Sequence, residues 1–426
     1  MAIGDIIVSL DIGASKTAAV VGQVNKFGEI EVVGHGLADS SGIKKGKILN
    51  NEPVAKSIVR AITEAEETSG LYINSAYVNI KGISTRIEKI RFKGDVERPD
   101  DGLSYNDINK MIETINLGLR KNDNEQIVSI VPTKFNVNDR DYKEEPIGAF
   151  AKYFIMDADV VIADKQTIES IEEVMRLAEL KIDGYVLETF ANSNVVLMPE
   201  EKEMGVLMLD IGAAHTEISV YKNSNLEFNT TLPVGGDHIT SDIAISLNIG
   251  LDEAEKLKRQ YNLAIEAMIT NNHDVKLNTK KTLEDKEDIV TCSDIVKIIE
   301  ARVKEVYQIT RKIMAENNLI GKVECVVLTG QGFSNIGGTE ELAVLTLKIN
   351  QVRTCSPKLI NVIKPQHALA YGMLKYISTM GLGKDVNSDV EIVEEPSFKD
   401  RIIGIFSKAK EKINSIQKKE SQESEE

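Results

Sequence analysis

The chain has 426 residues, 42% hydrophobic and 27% charged, enough for two to four domains at about 100–200 residues each. Sixty-six acidic residues against 51 basic ones give a formal charge of −15, which excludes general binding of nucleic acid, and 5% aromatics without a tryptophan argue against a base- or sugar-stacking surface. Apolar runs of only a few residues exclude a spanning helix, and Met1-Ala2-Ile3-Gly4-Asp5 has neither the basic nor the apolar region of a signal peptide. Cys292, Cys325 and Cys355 are widely spaced, as suits reduced thiols rather than bridges or zinc, so a cytosolic chain is expected, or one attached to a membrane from the inside.

In chain order, Ile6–Leu10 reads as a strand running into Asp11-Ile12-Gly13-Ala14-Ser15-Lys16-Thr17, with a second strand to Val24. Glu31–Ala38 is another strand. A helix follows from about Glu52 to Ser69, with Asn51 as cap, Pro53 in the first turn and Gly70 as stop. Asn74–Lys81 reads as a strand. Residues 84–165 break the pattern with charged alternating strands and a helix opened by Ser104 with Asp107 three residues on, as expected of an inserted α+β subdomain. The opening motif then returns: Gly205–Leu209 leads into Asp210-Ile211-Gly212-Ala213-Ala214-His215-Thr216 and an apolar stretch from Glu217 to Tyr221. Leu226–Pro233 is a strand, Gly236–Leu247 a helix and Lys322–Thr329 a buried strand. Ser293–Asn317 is a long helix with an apolar stripe of Ile295, Ile299, Val306, Ile309 and Ile313. Two copies of one strand–Gly turn–strand unit, each opening about half of the chain, predict a duplicated α/β domain.

The turns carry chemistry. Gly13 and Gly212 let backbone N–H groups approach an anion, and Ala14, Ser15, Lys16 and Thr17, or Ala213, Ala214, His215 and Thr216, complete the two loops, the hydroxyls and the ammonium adding donors. Asp11 and Asp210, at the strand ends, offer hard oxygens to Mg²⁺ through water. Two such hairpins facing each other across a cleft would grip the phosphates of a nucleotide from both sides. Gly235-Gly236-Asp237, before a helix, is expected to present free N–H groups to phosphate. Gly330-Gln331-Gly332 would carry the nucleoside, and Glu255 and Lys258, on one helix face, would reach ribose and base. His35, His215, His238, His273 and His367 share no metal-ligand spacing.

These residues resemble the actin-like (ribonuclease H-like) ATPase superfold of sugar kinases, DnaK-type chaperones and MreB over residues 5–380. The insertion before 164–180, Thr240-Ser241-Asp242-Ile243-Ala244, and Gly42–Gly46 with Ile43, Lys44 and Lys45 are similar to the FtsA family, where the insertion is subdomain 1C. The resemblance implies ATP and Mg²⁺ as ligands, actin-like self-association, and tethering of FtsZ to the inner face of the cytoplasmic membrane at the division site. It implies docking of the FtsZ C-terminal tail beside the long helix at Arg302, Lys304 and Glu305, and contacts with other division proteins. It also puts Glu188, in Leu187-Glu188-Thr189-Phe190-Ala191, where MreB and DnaK-type proteins carry a water-orienting Glu, though without their following Pro. Ala213-Ala214 in place of glycines, and Gly-Gln-Gly in place of Gly-Gly, suit ATP binding with weak or no hydrolysis. The implied segments are 1A (1–83 and 166–200), 1C (84–165), 2A (201–248 and 322–380) and 2B (249–321).

The end differs in kind. Residues 381–397 are polar and acidic and read as a linker, and 420–426 as an acidic, disordered end. Between them, at 100° per residue, Phe398, Ile402, Ile405, Phe406, Ala409, Ile413 and Ile416 fall in one stripe, bordered by Lys399 and Lys410 on one side and Arg401, Lys408 and Lys412 on the other. From Phe398 to Lys419 seven basic and two acidic residues give a local +5, the pattern of a helix lying on anionic lipid. A pilus-assembly protein of the PilM type, or a small-molecule kinase of the same fold, is the alternative. Neither is expected to end in such a helix.

Overall fold

The computed structural model describes residues 4–27, 29–44, 46–119, 121–277, 289–333, 335–355 and 365–380. The expectations for Lys45, the acidic linker and the membrane stripe at Phe398, Ile402, Ile405, Phe406, Lys408, Ala409, Lys412 and Ile413 lie outside these residues.

The chain opens with β1 (Ile6–Ile12), β2 (Lys16–Val24) and β3 (Ile30–Asp39), then a ribbon of β4 (Ile43–Lys44) and β5 (Lys47–Ile48), α1 (Asn51–Ser69) and β6 (Ser75–Ile80). The insertion contributes β7 (Thr85–Asp95), α2 (Tyr105–Gly118), β8 (Glu125–Val137), β9 (Arg140–Tyr142) and β10 (Tyr153–Asp164). α3 (Lys165–Leu177), β11 (Lys181–Leu187), α4 (Glu188–Val196) and α5 (Pro199–Met204) lead to the second half. That half comprises β12 (Val206–Ile211), β13 (Thr216–Lys222), β14 (Asn225–Leu232), α6 (Gly236–Ser246), α7 (Leu251–Gln260), β15 (Asp274–Lys276), β16 (Ile289–Thr291), α8 (Cys292–Glu316), β17 (Cys325–Thr329), α9 (Thr339–Leu347), β18 (Gln351–Thr354) and α10 (Ala368–Met380).

The chain divides into two compact units. The first comprises Met1–Asn79, Gln166–Gly184 and the end from Ile377, and is built on a sheet of order β11-β6-β1-β2-β3. β1 pairs antiparallel with β2 and parallel with β6. α1 lays Val54, Ile58, Ala61, Ile62 and Ala65 on this sheet, chiefly against β2 and β3. Its cap is Asn50, whose side chain accepts the Glu52 N–H, one residue before the predicted Asn51. Gly70, at φ 71°, ends it as expected.

The second unit comprises Ile80–Lys165 and Tyr185–Tyr376. Its main sheet has the order β14-β13-β12-β17-β18, with β12 antiparallel to β13 and parallel to β17. Strand for strand this is the connectivity of the first sheet, so the duplication seen in the motif extends to the topology. α8 buries Ile295, Val296, Ile299, Val303, Val306, Tyr307 and Met314, whereas the predicted Ile309 and Ile313 flank that stripe, half-buried. β17 begins at Cys325 rather than Lys322, because Lys322 still turns back on Leu319.

The insertion is an antiparallel sheet, β7-β10-β8-β9, with α2 over one face and its own core of Leu103, Ile108, Ile115, Phe135, Phe154 and Met156. Ser104 and Asp107 form the predicted capping box. Cys292, Cys325 and Cys355 form no disulfide among the described residues.

Candidate functional site

The first hairpin positions Asp11 through β6. Asn79, a buried residue in an otherwise apolar strand, accepts the Ile12 N–H at 2.8 Å and donates to Asp11 Oδ1 at 3.0 Å. The turn closes by Gly13 N–H donating to the Lys16 carbonyl at 2.9 Å, leaving Ala14 and Ser15 exposed. The expected donors differ in fate. Lys16 forms an exposed ion pair with Asp39 on β3, whose carboxyl it holds below the usual range. Such a pair contributes little and yields readily to a better partner. Thr17 is buried with its hydroxyl against Ser57 Oγ at 2.8 Å, so it is a structural residue and not a ligand donor.

The second hairpin closes the same way, Gly212 N–H donating to the His215 carbonyl at 2.8 Å, but it is knitted into two further loops. Gly332 N–H donates to the Ile211 carbonyl at 2.7 Å, Gly236 N–H to Gly212 at 3.0 Å and Asp237 N–H to Ala213 at 2.8 Å. Gly235 N–H faces His238 Nδ1 at 3.2 Å. The predicted free N–H groups of Gly235-Gly236-Asp237 are therefore engaged, and this segment supports the hairpin rather than offering open donors. Thr216 is likewise corrected: it is buried and donates to the Val234 carbonyl at 2.7 Å. Ala213 is exposed, and Ala214 and His215 are half-buried.

The approach is so close that side chains are excluded. Gly330 sits at φ +85°, and a Cβ there would lie 2.4 Å from both Asp210 Oδ1 and the Ile211 carbonyl oxygen. A Cβ on Gly235 would lie 2.4 Å from the Gly212 carbonyl oxygen. Gln331, between Gly330 and Gly332, is exposed.

Behind this loop lies a group of carboxylates. Asp210 and Glu217 are cross-strand partners on β12 and β13. Asn192 of α4 donates to Asp210 Oδ2 at 2.6 Å. Burial and the neighbouring charge of Glu188, the first residue of α4, push Asp210 up to about 6, against the opposing pull of Lys81 and Asn192. Glu217 is buried and hydrogen-bonded to the Thr189 hydroxyl and Asn229. Burial, then Asp210 and Glu188, raise it to about 8, so it carries a proton at neutral pH. Glu188 thus starts a helix and also acts electrostatically on Asp210. Glu217 is the residue sequence reasoning missed, although a charge in a strand buried on both faces was a legible signal.

α7 places Glu255 and Lys258 beside α6. Lys258 Nζ reaches Glu255 Oε2 at 2.6 Å, Thr240 Oγ1 at 2.8 Å and the Gly236 carbonyl at 3.3 Å. Thr240 and Arg259 also donate to Glu255, at 2.6 and 2.8 Å. Partial burial opposes ionisation of Glu255, but the hydrogen bonds from Lys258, Thr240 and Arg259 outweigh it and hold the carboxyl at about 2. The pair is thereby attached to the Gly-Gly-Asp segment through the Gly236 carbonyl and Thr240.

On α8 the outcome is mixed. Lys304 and Glu305 are exposed, but Arg302 makes a bidentate pair with Asp242 of α6, at 2.6 and 2.8 Å, and also reaches Glu305. Arg302 fastens α8 to α6 and is not a free surface cation.

Asp11 and Asp210 each carry a hard carboxylate oxygen held by an asparagine amide, the kind of group that suits Mg²⁺. Among the described residues no group of three or more His, Cys, Asp or Glu forms a metal cage.

A profile described as "Cell division protein FtsA" matches residues 207–372. FtsA of Pseudomonas aeruginosa is 29% identical over 341 residues, covering 80% of this chain and 80% of that protein. FtsA of Bacillus subtilis is 28% identical over 377 residues, covering 87% and 83%. Among solved structures, the PilM–PilN type IV pilus biogenesis complex aligns with a TM-score of 0.59 at 18% identity, covering 87% of this chain and 98% of that one. MreB5 of Spiroplasma citri bound to ADP aligns with a TM-score of 0.53 at 12% identity, covering 91% and 100%. The likeness to the solved structures fixes the fold as actin-like, and over most of its length the sequence is similar to FtsA cell division proteins.

Proposed function

We propose that this chain is a bacterial division protein that binds ATP with Mg²⁺, self-associates like actin, and tethers FtsZ to the cytoplasmic face of the membrane. One observation carries the nucleotide part: an Asp-Ile-Gly-Ala hairpin closed by the same Gly N–H bond recurs at the same strand position in two sheets of equal connectivity. In this reading Gly13 to Lys16 and Gly212 to His215 are the phosphate loops. Asp11 and Asp210 hold Mg²⁺ through water, and the cation neutralises charge on the phosphates. Gly330, Gln331, Gly332, Glu255 and Lys258 take the nucleoside. Glu188 is a candidate for orienting water, with weak or no turnover.

The FtsZ tail would dock by Lys304 and Glu305. Asp242, bound to Arg302, and the exposed Ile245 lie one turn apart on α6 and extend that face. Membrane attachment is assigned to the basic-bordered stripe of 398–419, whose large apolar side chains are worth roughly 1.5–3 kcal/mol each on full burial. Anionic lipid adds about 1 kcal/mol per bordering basic residue.

Calorimetry tests the first part: Asp11→Ala and Asp210→Ala should each weaken Mg²⁺-dependent ATP binding about tenfold, or ~1.4 kcal/mol, without unfolding. Unchanged affinity in both sinks it. Sedimentation with anionic liposomes and FtsZ tests the rest. The intact chain should carry FtsZ into the pellet, whereas a chain ending at Ser397, or Ile402→Glu with Phe406→Glu, should bind ATP and stay in solution. Lys408→Ala with Lys412→Ala should weaken pelleting mainly on anionic lipid. Pelleting of the truncated chain equal to the intact one would remove the tail as anchor.

A further inference from the structure

Lys202 of α5 sits in a setting unlike that of the surface lysines. Its ammonium group has one hydrogen-bond acceptor, Asn194 Oδ1 at 3.2 Å, and lies 5.5 Å from the ring centroid of Tyr221. Among the described residues no carboxylate lies within ion-pairing distance of it. The flanking acids are turned elsewhere: Glu201 forms a bidentate pair with Arg353 of β18 at 2.7 and 2.6 Å, and Glu203 accepts from Ser224 at 2.6 Å and from Lys143 at 3.3 Å. Glu200 is exposed at the start of the helix. From β13, Tyr221 donates its hydroxyl to the Thr189 carbonyl and is kept neutral by burial, while Lys222 donates to the Met204 carbonyl. The charge facing Lys202 from α10 is that of Lys375, which is of like sign.

An amine that is half-buried, without a counter-ion and beside a second cation is held towards its neutral form, the state in which lysine is a nucleophile. Burial first, and Lys375 second, bring Lys202 down to about 8. We propose that Lys202 is a modification site, acylated on Nζ by small acyl phosphates. The neutral nitrogen attacks the acyl carbon and a C–N bond forms. The bond from that carbon to the phosphate oxygen breaks, phosphate leaves with the electron pair, and the amine proton passes to solvent. The products are an N-acyl-lysine and inorganic phosphate. The amide keeps one N–H for Asn194 and removes a charge that this position disfavours.

The probe is acetyl phosphate, applied to the full chain, with peptide mass spectrometry following Lys202 against the exposed Lys152 and Lys256. At pH 7.5 an amine near 8 is neutral to a substantial fraction, so the initial rate at Lys202 should exceed theirs by about tenfold or more. Its rate should level off above pH 8, and the preference should vanish in urea. Lys375→Gln should slow Lys202 at pH 7.5 by restoring its proton. A rate at Lys202 no greater than at Lys152, or a pH profile that tracks the exposed lysines, overturns the assignment.

Discussion

The two Asp-Ile-Gly-Ala hairpins share a sequence, a turn closure and a strand position, yet they differ in what surrounds them. Around the first, a neutral amide, that of Asn79, holds Asp11, and the loop tip stands exposed. Around the second, glycines of two other loops press on the backbone, and Asp210 shares its surroundings with Glu188 and the protonated Glu217. Equal motifs therefore do not make equal sites. The first hairpin can adjust to a ligand at little cost, whereas the second is fixed in shape and holds its acidity in a balance set by neighbours.

The largest effect expected from breaking this contrast is at Glu217. Its folded pKa lies near 8 and its unfolded value near 4.5, so the native state retains a proton that the unfolded chain loses. Stability from this group is complete below pH 4.5 and declines as pH rises to about 8. Glu217→Gln should abolish that decline, gaining on the order of 4 kcal/mol at pH 8 relative to pH 5. Urea unfolding at the two pH values would measure it, and equal shifts at both would mean the carboxyl is already ionised in the fold.

Gly330→Ala comes next. With a Cβ 2.4 Å from Asp210 Oδ1, and at positive φ, it should cost about 3 kcal/mol. Gly212→Ala meets only the His215 carbonyl oxygen, at 3.3 Å, and should stay within about 1 kcal/mol. Thermal melts of the pair would show whether the rigidity comes from the interlocking loops or from the turn itself. In the first hairpin, Asn79→Ala leaves the Ile12 N–H without its acceptor and should cost about 2 kcal/mol by denaturant titration. A smaller change is expected in ligand response. On the proposed assignment an Asp11→Ala chain would keep Asp210 for the cation, so its Mg²⁺-dependent ATP affinity should fall up to about tenfold as pH drops from 8 to 5. A flat profile by calorimetry would place the cation elsewhere.

What could be read in advance was local. Helix ends such as Ser104–Asp107 and Gly70, the Gly turns and the repeat all lie within a few residues of the signals that declare them. Asn79 acting on Asp11, Asn192 on Asp210 and Arg302 on Asp242 join positions 68, 18 and 60 residues apart, and no spacing rule predicts such partners. Thr17 and Thr216 were misjudged for another reason. Their strands are buried on both faces, so the alternation that normally tells an inward hydroxyl from an outward one is missing. The free N–H groups expected at Gly236 and Asp237 are engaged likewise, because their acceptors belong to a hairpin more than twenty residues upstream, while that of Gly235 faces His238.

The insertion has a property that its role in any assembly does not explain. Its first and last strands, β7 and β10, are hydrogen-bonded neighbours, Thr85 standing opposite Ala163, so the chain leaves for the insertion and returns from it at adjoining points. A visitor that departs by the door it entered leaves the host's connectivity intact. Acquiring, exchanging or losing such a segment in evolution asks for only a short bridge between two adjacent ends, with little loop-closure entropy, and the segment brings its own core. The two repeated sheets must be inherited together, but the insertion can change at its own pace, as a graft on an old stem.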